Sequence, residues 1–419
     1  MIPFQLHRRI PFVRRPFYQR DQAMAERDRA AVALQATALE RDKLSQENSD
    51  LRVKLATVTR QLPTVTQQLP TVTRQLRGEK SLSDLKAAFL DPLVDLGAAE
   101  DPAFFGIFTP SPEVGQPKFG VNEAFLADAE SYYAKFQSFQ YWRSLLSESI
   151  RRSGLPDQPD IIVEFGCGFG NSTFPLLELF PDSRIIATDI SPNLLSILRR
   201  LLDARDISSD RCLPVAMDAQ KPYIASEIAS LVFGSAIMHH LADPGVFVAE
   251  AMRILRPGGA AVFFEPMEAG FAIVREACMR AAEEGERRGE SGPLTEAARI
   301  TATQLAGQIL RDRQPNWRDQ DDKWAFPPSV LERIASAAGA ELVVYPINNI
   351  ETPFRSQIAY ILEADAGIPR ETVPDWFWAH FDHFDKEVFS PKMLENLPIE
   401  ACIIFKKRVA VPVQNDQTI

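Results

Sequence analysis

Between residues 161 and 265 short apolar runs alternate with longer stretches whose apolar residues recur every three or four positions. That alternation predicts a mostly parallel sheet flanked by helices. The runs place strands at 161–165, 184–189, 213–217, 229–235 and 260–265, and two more apolar runs add late strands at 341–345 and 401–406. Upstream, Phe125, Tyr132, Phe136, Phe139, Trp142, Leu146 and Ile150 fall at helical spacing, which predicts one amphipathic helix over 122–153, ended by the segment Gly154 to Pro159. The charged, Ala-rich stretch 268–325 predicts helix as well.

The first 120 residues follow a different pattern. Residues 1–20 hold no acid and mix five arginines with Phe4, Phe12, Phe17 and Tyr18, a composition suited to an anionic membrane surface or to a solvated tail. From Asp21 to Leu76, Leu44, Leu51, Val58, Val65 and Val72 fall on one heptad seam and Asn48, Leu55, Leu62, Leu69 and Leu76 on the other. A coiled-coil arm over 21–80, able to self-associate through 21–76, is the expectation. Pro63 and Pro70 interrupt it inside a seven-residue repeat starting at Leu55, so a stiff spacer after Arg60 and a disordered linker both stay open. Residues 81–120 read as a linker with a Pro- and Gly-rich loop at 106–120, followed by one domain over 121–410 and a tail, 411–419.

Composition narrows the chemistry. A formal net charge of -10, with 45% hydrophobic and 24% charged residues, suits a soluble domain and no nucleic-acid partner. Cys167, Cys212, Cys278 and Cys402 stand far apart, without a C-x-x-C pair or a histidine at metal-ligand spacing, so reduced thiols and no metal are expected. No apolar run is long enough to span a bilayer, and the expected location is cytoplasmic, with peripheral membrane contact open through residues 1–20.

The run I-I-V-E-F-G-C-G-F-G from Ile161 is a strand that breaks into glycines before a helix. Gly166, Gly168 and Gly170 permit a sharp turn and close approach of a ligand, and Glu164 offers a carboxylate to an ammonium group. A dinucleotide fingerprint would want a third glycine where Asn171 stands. The second strand ends in Asp189, an acceptor for ribose hydroxyls or a cap for the helix that Ser191 and Pro192 open, and the third ends at Asp218, an acceptor for an adenine amino group.

In order, V-E-F-G-C-G-F-G, I-I-A-T-D-I-S, A-M-D-A, S-A-I-M-H-H-L-A-D-P and I-L-R-P-G-G resemble the successive motifs of class I S-adenosylmethionine-dependent methyltransferases, over about a quarter of the chain. The resemblance implies a doubly wound α/β fold, a seven-stranded mostly parallel sheet with its last strand antiparallel, here with helical insertions at 268–325 and 347–398. It implies S-adenosyl-L-methionine as cofactor, with Glu164, Gly166, Cys167, Gly168 and Gly170 at its methionine and ribose end, Asp189 and Ile190 on the ribose and adenine, Asp218 and Ala219 at the adenine edge, and Ser235 below the sulfonium. Methyl transfer to a small-molecule or glycan acceptor is the expected function. A protein or nucleic-acid methyltransferase and a methyltransferase-like scaffold are the alternatives.

His240, just past the fourth strand, is the candidate base, or else it orients its loop. Glu265, at the carboxyl end of the fifth strand, and Trp324 are candidates for substrate contact. Phe326, Trp376, Trp378, Phe381 and Phe384 either line an acceptor pocket or pack as core.

Overall fold

The computed structural model describes residues 85–116, 128–155, 158–347 and 351–408. The basic tail, the expected coiled-coil arm and the tail 411–419 lie outside the described residues. In chain order the strands are β1 (Leu93–Asp95), β2 (Phe108–Pro110), β3 (Ile161–Phe165), β4 (Arg184–Asp189), β5 (Cys212–Ala216), β6 (Ala229–Ser235), β7 (Leu255–Pro266), β8 (Ala340–Pro346) and β9 (Glu400–Lys407). Apart from shorter turns, the helices are α1 (Ala129–Phe136), α2 (Phe139–Ser153), α3 (Thr173–Leu179), α4 (Pro192–Asp203), α5 (Pro244–Ile254), α6 (Glu268–Arg287), α7 (Pro293–Ile309), α8 (Pro328–Ala337), α9 (Pro353–Ala366) and α10 (Asp375–Asp382).

One sheet runs in the order β1-β2-β5-β4-β3-β6-β7-β9-β8. Strands β5, β4, β3, β6 and β7 are parallel, and β9 enters antiparallel between β7 and β8. All five residues of β3 are buried, as an apolar central strand covered on both faces requires. Chain order reverses at β3, with β4 on one side and β6 on the other, and a crevice outside the carboxyl ends of the strands is what such a reversal creates.

Seven strands are expected, and nine are found among the described residues. The two extra come from the segment read as a linker: β1 and β2 form a short antiparallel pair, and β2 joins the edge of β5 through Phe108 and Val215. Thr109 Oγ1 donates to Ala216 O at 2.9 Å across that junction, and Leu96 and Ile107 are fully buried beneath it. Three-residue strands have no alternation long enough to read.

The single helix expected over 122–153 is two helices in its described part. Gln137 is extended, and Asn171 holds the break from both sides: its Nδ2 donates to Phe136 O at 2.7 Å and its Oδ1 accepts from Ser138 N at 2.9 Å. An asparagine from the glycine turn therefore replaces two helical hydrogen bonds, which no local periodicity reveals.

Two apolar clusters among the described residues bear on the site. One lies between the sheet and α2 to α4, with Trp142, Leu146, Phe174 and Leu198 against Ile185, Phe233 and Phe264. The other joins the insertions, where Phe271, Cys278, Ala298, Leu305, Phe354 and Phe377 pack together. Trp378, Phe381 and Phe384 are buried in this second cluster, so their aromatic surface is core, each fully buried ring contributing about 1.5–3 kcal/mol.

Candidate functional site

The turn after β3 is built from left-handed residues: Gly166, Gly168 and Gly170 have φ of 66°, 55° and 99°. Such angles suit glycine, because a Cβ there meets the neighbouring backbone. At Gly170 an added Cβ would stand 2.7 Å from Leu198 Cδ1 and 2.8 Å from Phe174 Cε2, so this glycine answers to packing as well as to any ligand. Phe169, inside the turn, is buried with its ring edge-on to Tyr132 and Tyr133 of α1, centroids 5.8 and 5.1 Å apart.

The acids of this half hold the turn. Asp189, 8% exposed at the end of β4, accepts from Gly168 N through Oδ2 and from Ser191 N through Oδ1, both at 2.8 Å. It thus ties the glycine turn to the neighbouring strand end and opens α4. Cys167 is buried, with its N–H donated to Thr188 O at 3.0 Å. Glu164 has no exposure: Ser172 Oγ donates to one of its oxygens and Thr173 Oγ1 to the other at 2.7 Å, so it clamps the start of α3. Asp218 accepts from Gln220 N at 2.8 Å in the turn after β5, where Ala219 is half-buried, as is Ile190 after β4. Ser235 is buried at the end of β6.

The cofactor expectation meets a structural test in this donor set. Turned glycines sit beside acceptor-only carboxylates at the carboxyl ends of adjacent strands β4 and β5. That set suits a ligand rich in hydroxyl, amino and ammonium donors and suits a pyrophosphate poorly. The residues present fit S-adenosylmethionine.

The other half of the crevice differs from the expectation. Glu265 is fully buried and does not face an acceptor. It accepts from the N–H groups of Ile237, Met238 and His239 at 3.0, 2.7 and 3.2 Å, and its Oε2 lies 2.7 Å from His239 Nδ1. A strand end predicted an outward carboxylate, but the loop after β6, which passes through Ala236 at φ 53°, folds over it. His239, which sequence reasoning passed over, is the buried member of the histidine pair. Burial works against its imidazolium, yet Glu265 and Asp322 outweigh burial and push its pKa up to about 9.

His240 is partly exposed, with Nδ1 3.1 Å from Asp321 O and 3.5 Å from Asp322 Oδ1. Asp322 Oδ1 is also 3.4 Å from His239 Nε2. Lys323 N and Trp324 N donate to His239 O at 2.8 and 3.2 Å, and Trp324 Nε1 donates to Leu241 O at 2.9 Å, so the segment before α8 is fastened onto the loop after β6. The Trp324 ring is half-buried, stacked on Phe326 at 5.7 Å between centroids, with the Arg311 guanidinium 3.2 Å over its face. Deeper in, Glu400 of β9 is fully buried, and burial together with the nearby Glu265 raises its pKa well above the carboxylate range.

Residues 163–263 match a protein family described as a methyltransferase domain. The chain is similar to a malonyl-[acyl-carrier protein] O-methyltransferase of Hahella chejuensis, 34% identical over 148 residues that cover 34% of this chain and 48% of that protein. It is also similar to a trans-aconitate 2-methyltransferase of Azoarcus sp., 32% identical over 25% of this chain and 38% of that protein. The chain spans about half or less of the length of these two relatives. Among solved structures, a Haemonchus contortus phosphoethanolamine N-methyltransferase in complex with S-adenosyl-L-methionine is similar over 69% of this chain and 61% of that one, at 14% identity and a TM-score of 0.42. The family match and the relatives support an S-adenosylmethionine-dependent methyltransferase domain over the sheet from β3 to β7.

Proposed function

We propose that this chain transfers the methyl group of S-adenosylmethionine to a small-molecule acceptor at the carboxyl ends of β3 to β7. The observation that carries the reading is the turn of left-handed glycines fastened by Asp189 beside a second acid, Asp218. The cofactor supplies a methyl carbon made electrophilic by its sulfonium, so the protein's task is binding, alignment and exclusion of water.

In this reading Asp189 and Ile190 meet the ribose and adenine, and Asp218 with the Ala219 N–H reads the adenine edge. Gly166, Gly168, Gly170 and Ser235 leave room for the methionine end, while Glu164 and Cys167 act through the turn they hold. His240, on the partly exposed side of the loop after β6, is the candidate to hold or accept an acceptor proton, and Trp324 walls the same side. Glu265 acts only by fixing the loop. The relatives' named acceptors, malonyl-[acyl-carrier protein] and trans-aconitate, favour a small acid over a glycan. Of the aromatic residues that were candidates for an acceptor pocket, Trp378, Phe381 and Phe384 are core.

The insertions at 268–325 and 347–398 shape the acceptor side. Self-association through residues 21–76, membrane-surface contact through residues 1–20 and a cytoplasmic location are carried by the sequence alone. No helix among the described residues is long and apolar enough to cross a membrane.

Calorimetric titration of the full chain with S-adenosylhomocysteine, followed by labelled methyl transfer to fractionated extract, tests the reading. Saturable binding and a labelled small molecule are expected. No binding would refute it. Trp324→Ala should lower turnover while S-adenosylhomocysteine affinity stays within about twofold; joint loss of affinity and thermal stability would make Trp324 scaffold instead.

A further inference from the structure

The histidine pair after β6 holds an arrangement that methyl transfer does not call for. His239 has no exposure, and its Nδ1 lies 2.7 Å from Glu265 Oε2. Because Glu265 already accepts three backbone N–H groups, it is a fixed acceptor, and it assigns the ring proton to Nδ1. His239 Nε2 then points into a buried corner at Asp322 Oδ1, 3.4 Å away, beyond the normal range of an N–H···O bond. His240 Nδ1 approaches the same carboxylate oxygen at 3.5 Å. The three ligand atoms lie within 4.8 Å of one another.

Three donor atoms within 4.8 Å of one another, each nitrogen 3.4 or 3.5 Å from the shared carboxylate oxygen, leave room for an ion between them. Bonds of about 2.0–2.1 Å from a tetrahedral ion put its ligand atoms about 3.4 Å apart, whereas an octahedral ion would draw neighbours to about 2.9 Å. We propose that His239 Nε2, His240 Nδ1 and Asp322 Oδ1 bind a single divalent cation of the zinc class, a site with two imidazoles, one carboxylate and one open position.

Charge and support agree with this. Glu265 and Asp322 bring two negative charges to a mostly buried place, and a doubly charged ion that displaces the Nε2 proton of His239 to solvent leaves two neutral imidazoles and a neutral cluster. Both inner ligands have the outer partners that orient metal ligands: Glu265 behind His239, and Gln308 Nε2 at 3.3 Å from the other oxygen of Asp322. The two N–H groups of Lys323 and Trp324 on His239 O fix the distance between the ligand-bearing segments. At His240 the ion takes the place of the proton shared with Asp321 O. Adjacent histidines are not a metal spacing on a helix or strand, which is why no metal is expected from the sequence. Here a tight turn puts their rings 4.0 Å apart between centroids.

His240 is 32% exposed, so the open position faces out of the core on the side of the loop after β6. If the methyltransferase reading holds, on which this role alone rests, the ion holds a carboxylate or hydroxyl oxygen of the acceptor and lowers its proton affinity.

The test uses the full chain, stripped with a chelator and dialysed, then titrated with Co2+ and counted for retained metal. The parent should retain one equivalent with the intense visible absorption of a tetrahedral site, bleached by Zn2+. Asp322→Asn and His240→Ala should each bind cobalt at least about tenfold more weakly, while staying folded by circular dichroism and keeping the parent's S-adenosylhomocysteine titration. A parent that retains no cobalt, or variants that retain as much as the parent, would overturn the site. The S-adenosylhomocysteine titration in the same samples separates the two readings: cobalt retained without cofactor binding supports the metal site and rejects methyl transfer, and the converse rejects the metal site alone.

Discussion

The two halves of the crevice use their acids over different sequence distances. On the β3 to β5 side, Glu164 reaches Ser172 and Thr173, Asp189 reaches Ser191 and Gly168, and Asp218 reaches Gln220. All lie within one strand-turn-helix step or its neighbour. On the β6 to β7 side, Glu265 grips the loop at Ile237 to His239, and Asp322 comes from beyond two insertion helices to meet His239 and His240. The first half is a set of local turns held by short-range hydrogen bonds. The second is a long-range clamp that exists only in the folded chain, so its acids govern stability first and chemistry second.

The sharpest way to break this contrast is Glu265→Ala. It strips three backbone N–H groups and a buried histidine of their acceptor at once, and removing one partner of a buried charged pair costs about 3–5 kcal/mol. Urea denaturation should show a loss of that size; a loss below about 1 kcal/mol would mean the loop is held by other contacts. On the local side, Asp189→Asn keeps one acceptor and weakens the rest. S-adenosylhomocysteine affinity should fall by about 1.5–3 kcal/mol for a charge-assisted bond lost, with a much smaller change in stability than Glu265→Ala gives. Affinity equal to the parent's would remove Asp189 from the cofactor site.

The smallest effect separates the halves by pH. Burial and Glu265 raise the pKa of Glu400, so the folded chain keeps a proton that the unfolded chain releases once pH exceeds the ordinary carboxylate value. Its contribution to stability is therefore greatest in acid and declines as pH rises above about 4.5. Glu400→Gln should abolish that decline, so thermal midpoints of the variant and parent diverge progressively between about pH 5 and pH 8, the variant higher. Parallel midpoints across that range would show that Glu400 is not protonated in the fold.

What could be read from the sequence follows the same division. The strands β3, β4 and β6 were expected at their observed limits, because an apolar run between turn residues is a local signal. The left-handed glycines and the helix-opening Ser191 directly follow such runs. Glu265 was read by its strand-end position alone, and nothing near it announces that residues 237–239 fold over it. The histidine pair gave no sign of which ring turns inward; the tight turn at Met238–His240 decides it. The break between α1 and α2 depends on Asn171, some distance along the chain, and β1 and β2 are too short to leave a pattern. Trp378 stayed open between pocket and core because aromatic side chains suit both; only packing against the insertion helices separates the two.

The position of β9 sets an order of events during synthesis. Strand β8 is made well before β9, yet β9 is the partner that joins it to β7. Until Glu400–Lys407 has emerged and threaded between them, β7 presents an open edge carrying Val262, Phe263 and Phe264, and β8 has no strand beside it. An unpaired apolar edge is a template for pairing with other chains. The nascent protein therefore passes through an adhesive interval whose length is the time needed to translate the insertion 347–398, and slowing the ribosome within that insertion should raise aggregation without altering a single contact of the finished fold.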